Sequence, residues 1–151
     1  MSQRRDIIKI LTTNLKLIDG SQSPLASYTF KTDIHNNMYR GFKTLEEIND
    51  FPSLFLVAGT ETRTYNTVGT TIANLPVTIR IYTYEDEEEL VNYQIHDLVQ
   101  DIEHVIYNLP RDYSNLEILD ITIKSITTDE GLLTPYGIVE LQVQASYEVT
   151  L

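Results

Sequence analysis

The chain has 151 residues, 42% of them hydrophobic, no cysteine and a formal net charge of −11. That length predicts one domain, 1–151, large enough to bury a core without staples. The missing cysteines exclude disulfides and thiolate metal sites, and the acidic balance disfavours a grip on free nucleic acid, where phosphate must meet Lys and Arg.

No apolar run reaches the roughly 20 residues that span a bilayer, so no membrane association is expected. The charged start, from Ser2 to Asp6, leads into an amphipathic segment and does not read as a signal peptide. Residues 3–18 are predicted helical: Ile7, Ile8, Leu11, Leu15 and Ile18 form a stripe at helical spacing, Ser2 is the candidate N-cap and Gly20 the candidate C-cap. Tyr28 to Ile34 reads as a short strand or an extended arm. Thr44 to Ile48 has the form of a capped helical turn. After Pro52, the segment Ser53 to Ala58 is nearly all apolar, as a central strand covered on both faces would be.

Residues 59–74 are Thr-rich and mostly polar, which suggests an extended β-arm or long hairpin loop with its tip near Asn66 to Gly69. Leu75 to Tyr84 then alternates as a strand. The acidic run Glu85 to Glu89 precedes a long helix, about 86–109, whose stripe is Leu90, Ile95, Leu98, Ile102, Val105, Ile106 and Leu109. Leu116 to Thr127 reads as a strand with Leu119, Ile121 and Ile123 pointing one way. Ile126 breaks that parity and predicts a bulge near Ser125. From Val139 to Leu151 apolar and polar residues alternate without a miss, the mark of a long strand buried on one side. Helix, strands, helix and two long strands together predict an α+β fold: a mostly antiparallel β-sheet with two helices packed on one face.

Signals for chemistry are weak. No phosphate-binding loop and no nucleophile elbow occur. His96 and His104 share a side of the long helix, and His104 with Asp101 is the nearest approach to a metal pair. A solvated helix face explains them better, so no metal, cofactor or catalytic residue is expected. Asp129-Glu130 could serve acid–base work but reads as a polar turn. The ten tyrosines suit either protein interfaces or ordinary strands and loops.

Three segments carry a resemblance: FKTLEEINDFPSLFLVAGTETR over 42–63, LPVTIRIYTY over 75–84, and IKSITTDEGLLTPYGIVELQVQASYEV over 123–149. In that order they resemble the tail terminator proteins of long-tailed, lambda-like bacteriophages. The resemblance implies a structural virion protein of the tail, assembled in the host cytoplasm and without catalysis. It implies a hexameric ring that caps the tail tube protein, ends its polymerisation and meets the head connector protein. DNA would pass through without specific binding: six roughly 38 Å spheres leave an opening about one sphere wide. The polar arm makes Arg63, Tyr65 and Val68 candidates for the subunit interface. Asp129, Glu130, Leu132, Leu133 and Tyr136, in the last long loop, are candidates for the tube or connector interface, or else they fold back on the domain. Alternatives are a head–tail adaptor or tail-tube subunit, a non-enzymatic binding module, and a hydrolase using carboxylates and His104.

Overall fold

The computed structural model describes residues 3–24, 27–34, 36–41, 43–66, 68–109, 118–129, 132–133 and 135–149. Within them lie two α-helices, α1 (Gln3–Leu15) and α2 (Glu88–Tyr107), and six strands: β1 (Met38–Arg40), β2 (Ser53–Ala58), β3 (Thr62–Tyr65), β4 (Thr71–Tyr84), β5 (Ile118–Thr128) and β6 (Tyr136–Glu148). The sheet runs β1-β2-β4-β6-β5, with β3 pairing the start of β4. Only β1 lies parallel to its neighbour. This is the expected α+β layout.

β4 and β6 form the spine. They pair from Ile72↔Glu148 to Tyr84↔Tyr136 without a slip. The alternation seen from Val139 onward begins earlier, at Tyr136. Its inward residues, Val139, Leu141, Val143, Ala145 and Tyr147, are buried against Leu75, Val77, Ile79 and Ile81. Both helices close that face, with Ile7, Leu11 and Leu15 from α1 and Val91, Ile95, Leu98, Ile102 and Val105 from α2. β2 is covered on both faces as its composition implied. Leu54 and Leu56 join the helical core, while Phe55 enters a smaller cluster with Ile48 and Tyr82.

Pro76 sits in the middle of β4, where a missing N–H would normally break a ladder. Its carbonyl accepts a 2.7 Å hydrogen bond from Gly59 N–H. The proline nitrogen therefore faces the gap between Ala58, the last residue of β2, and Thr62, the first of β3. The partner strand leaves the ladder where β4 has no donor to offer, and this interruption sets β3 apart as an arm.

Several boundaries differ from the sequence reading. α1 ends at Leu15, and Ile18 is buried through a tight turn in which Ile18 N–H bonds Leu15 C=O at 3.1 Å. Gly20, with φ +81°, therefore belongs to the next turn and does not cap the helix. Its Ser2 cap lies outside the described residues. Leu90 is exposed and Val91 takes its place in the core, because only 91, 95, 98, 102 and 105 keep the 3–4 spacing toward the sheet. In β5 the bulge near Ser125 is present, and a second one between Ile118 and Asp120 reverses parity upstream. Ile118 consequently packs inward and Leu119 is 60% exposed. Residues 28–34 form an arm held by isolated bridges, Asp19↔Asp33 and Gln22↔Thr29.

Candidate assembly surfaces

The β3–β4 hairpin projects from one end of the sheet. Its pairs run from Thr62↔Asn74 to Tyr65↔Thr71, and the tip closes through Asn66 N–H to Thr70 C=O at 2.9 Å. Gly69 at φ +84° supplies the left-handed turn residue. Every residue of β3 is exposed. At the tip Tyr65 is 76% and Val68 82% exposed.

The base of this arm is fastened by Glu61. Its carboxylate accepts hydrogen bonds from the Tyr147 hydroxyl and from Arg63 Nε, the latter at 2.9 Å. Arg4 of α1 stands 4.0 Å away. Burial alone would raise the Glu61 pKa, but the Tyr147 and Arg63 hydrogen bonds and the guanidinium charges hold it below the ordinary carboxylate value. The Tyr147 hydroxyl, buried and beside that anion, is pushed up to about 12. Gln3 Nε2 adds a 2.9 Å bond to Glu148 C=O. Arg63 thus serves the arm's own base as well as its surface.

Residues 129, 132, 133 and 135 lie at the opposite end of β4, where Glu85 N–H bonds Pro135 C=O at 2.9 Å. Asp129 is half-buried; its N–H donates to Ile138 C=O at 3.2 Å and its C=O accepts Leu132 N–H at 3.0 Å. Leu132 and Leu133 are exposed, at 87% and 46%. Tyr136 stays half-buried, its ring 5.3 Å from Tyr84 and 5.8 Å from Phe51. Glu130 lies outside the described residues. The structure therefore brings Leu132, Leu133 and Tyr136 to one end with Tyr84, Leu90 and Tyr93, which sequence reasoning missed. It places Arg63, Tyr65 and Val68 at the other, 14 strand residues away.

Asp101 corrects the reading of the long helix as a merely solvated face. It is fully buried and accepts hydrogen bonds from Tyr28 Oη at 2.7 Å, Thr32 Oγ1 at 2.6 Å and the N–H groups of Lys31 and Thr32. It ties the 28–34 arm to α2. The signal was its place three residues beyond Leu98, on the buried stripe. His104 stacks on Tyr28 at 4.2 Å and bonds Ser23 Oγ at 2.8 Å; burial lowers its pKa despite the opposing charge of Asp101. His96 is exposed. Among the described residues no group of three His, Asp or Glu could hold a metal ion, and no helix is long and apolar enough to cross a membrane.

Residues 1–150 match a family model described as Bacteriophage Tail Tube Terminator Protein. The chain belongs to the phage tail tube terminator family. It is 31% identical to tail tube terminator protein p142 of Escherichia phage T5 over 159 residues, covering 98% of this chain and 95% of that protein. A chain of a native gene transfer agent virion is similar over 76% of this chain and 81% of its own, with a TM-score of 0.44 and 9% identity. Membership makes this terminator a structural protein of the virion tail.

Proposed function

We propose that this terminator, acting as one domain over 1–151, forms a hexameric ring that caps the tail tube, ends its polymerisation and offers its other side to the head connector, without catalysis. Assembly takes place in the host cytoplasm, and DNA passes through the opening. Arg63, Tyr65 and Val68 meet the neighbouring subunit. Asp129, Glu130, Leu132, Leu133 and Tyr136 face the tube or connector.

The observation that carries this reading is where the exposed apolar groups sit. Tyr65 and Val68 stand at one end of β4, and Tyr84, Leu132 and Leu133 at the other. A large hydrophobe in a polar hairpin tip contributes nothing to its own core, and clustered exposed apolar groups mark contact surfaces. Two unlike ends on one chain suit heterologous contacts, which close into rings when the rotation permits.

The test is polymerisation of purified tail tube protein with and without this chain. The proposal expects tubes that stop growing once the chain binds an end. Tube lengths that keep increasing at saturating chain contradict it.

A further inference from the structure

The sheet keeps two open edges. Among the described residues β5 pairs with β6 alone, and β3 pairs with β4 alone. An unpaired edge presents a row of N–H and C=O groups to which another strand can add.

Which groups are presented follows from the ladders. In an antiparallel pair, residues alternate between bonding the partner strand and facing away from it. Asn66 N–H bonds Thr70 C=O, so Thr64 and Thr62 also bond β4. Arg63 and Tyr65 therefore turn their backbone groups to the open side. On the other edge Asp129 N–H bonds Ile138 C=O, so the even-numbered residues of β6 are the ones that bond β5. Of these, Gln144 and Ser146 stand opposite Thr122 and Asp120. Ile121 and Ile123 therefore present their backbone groups outward, and within the regular stretch Asp120 to Ile123, between the two bulges, they alone do so.

The two edges match each other. Each offers two outward residues spaced by two. β5 runs parallel to β4 through two antiparallel steps, and β3 runs antiparallel to β4. Copies set side by side in the same sense thus bring β3 antiparallel to β5. The side-chain faces agree as well: Arg63 stands opposite buried Ala73, and Ile121 and Ile123 stand opposite Ala145 and Val143, all on the helix-covered face. Within one chain the edges cannot meet, because β4 and β6 lie between them.

We propose that β3 of one copy adds to the β5 edge of the next, with Tyr65 opposite Ile121 and Arg63 opposite Ile123. This is the antiparallel register that uses both outward residues of each edge. Arg63 keeps its side-chain bond to Glu61, since the pairing draws on backbone groups. Thr64 stands opposite Thr122 on the uncovered face, a favourable cross-strand pair. The exposed Tyr65 ring comes onto the helix side beside Ile121, which borders a hollow of about 200 Å³ between the end of α2 and the start of β5, lined also by Ile106, Leu109 and Ile118. Each copy gives one strand and receives one, which is the heterologous arrangement a ring requires. This deepens the ring reading above and rests on it.

The chain's lack of cysteine allows a direct test. A Thr64→Cys, Thr122→Cys double variant, checked for an unchanged melting temperature, is bound to tail tubes and oxidised. Residues opposite each other in a pair that does not exchange hydrogen bonds are about 4.5 Å apart at Cα, within disulfide reach. In a single copy the two positions are three strand spacings, at least about 14 Å, apart, so any link joins two copies. The pairing predicts disulfide ladders ending at the hexamer. Either single variant alone gives no link, and an equal mixture of the two gives no species beyond a dimer. A control pair, Thr64→Cys with Thr127→Cys, roughly 16 Å farther along β5, gives no ladder. Rings on the tube without the Thr64–Thr122 link overturn the pairing and leave the ring standing. A ladder from the control pair equally overturns it. Wild-type protein that stays monomeric on and off the tube removes the ring and the pairing together. Amide exchange of wild type gives a second measurement. Arg63, Tyr65, Ile121 and Ile123 should exchange fast in the free chain and slowly once bound to the tube, while Thr62 and Thr64 are slow in both. Fast exchange at those four amides in tube-bound rings contradicts the pairing, and slow exchange at Ile121 and Ile123 without the disulfide assigns the β5 edge to another protein.

Discussion

The helix-covered face of the sheet and the two ends of β4 obey opposite rules. On the covered face two carboxylates are satisfied inside the chain: Asp101 accepts bonds from Tyr28, Lys31 and Thr32, and Glu61 is shared by Tyr147 and Arg63. At the ends, large apolar side chains stand in solvent with no core to join. The difference separates residues that make the fold from residues that assemble it. Substitutions on the covered face should lower stability and leave the capping of tubes by folded protein intact. Substitutions at the ends should do the reverse.

The largest loss of stability is expected at Asp101→Ala. It orphans several buried donors at once, and hydrogen bonds to a charged group are worth roughly 1.5–3 kcal/mol each. A loss of about 3 kcal/mol or more, a fall of about 10 °C in melting temperature, should appear in calorimetry. Gly137→Ala comes next. A Cβ there would lie 2.5 Å from Thr83 Oγ1, 2.8 Å from Ile95 Cδ1 and 2.9 Å from Val91 Cγ1. Overpacking of this kind costs roughly 1–3 kcal/mol, measurable by urea unfolding.

Acid should act on the same side of the comparison. The folded pKa of His104 is lowered chiefly by burial, so its neutral form supports the fold above the unfolded value of 6.5 and that support fades as pH falls below it. Glu61, also lowered in the fold, contributes above 4.5 and loses its contribution as pH drops through its folded pKa. Unfolding followed against pH should therefore show an early decline that His104→Gln removes and a later one that Glu61→Gln removes. The smallest effects on stability belong to Tyr65→Asp and Leu133→Asp, within about 0.5 kcal/mol as exposed positions. Both should nevertheless abolish tube capping. A large drop in melting temperature for either, or unchanged capping, would erase the distinction between the two regions.

Periodicity made the covered face legible. The alternation of β6, the stripes of both helices and the bulge near Ser125 all follow from residues that must face one way. It failed where one face offers two apolar neighbours, Leu90 beside Val91 and Ile118 beside Leu119. There the choice depends on the helix's seat and on a second bulge that local sequence does not encode. The hairpin was legible from its polar composition and its glycines. Its fastening by Glu61 and Tyr147 was not, because those residues lie 86 positions apart. Asp101 looked solvated because a carboxylate on a helix usually is, and its partners come from the distant 28–34 arm. The clustering of Phe51, Tyr84 and Tyr136 likewise exists only once the chain has folded.

Electron microscopy of tail tubes incubated with this terminator tests the account most directly. The account predicts a six-fold disc of bound chain at one end of each tube, with an open centre and no disc on tubes treated with Tyr65→Asp. Chain scattered along the tube wall, or bound to an end as isolated single copies, would contradict it.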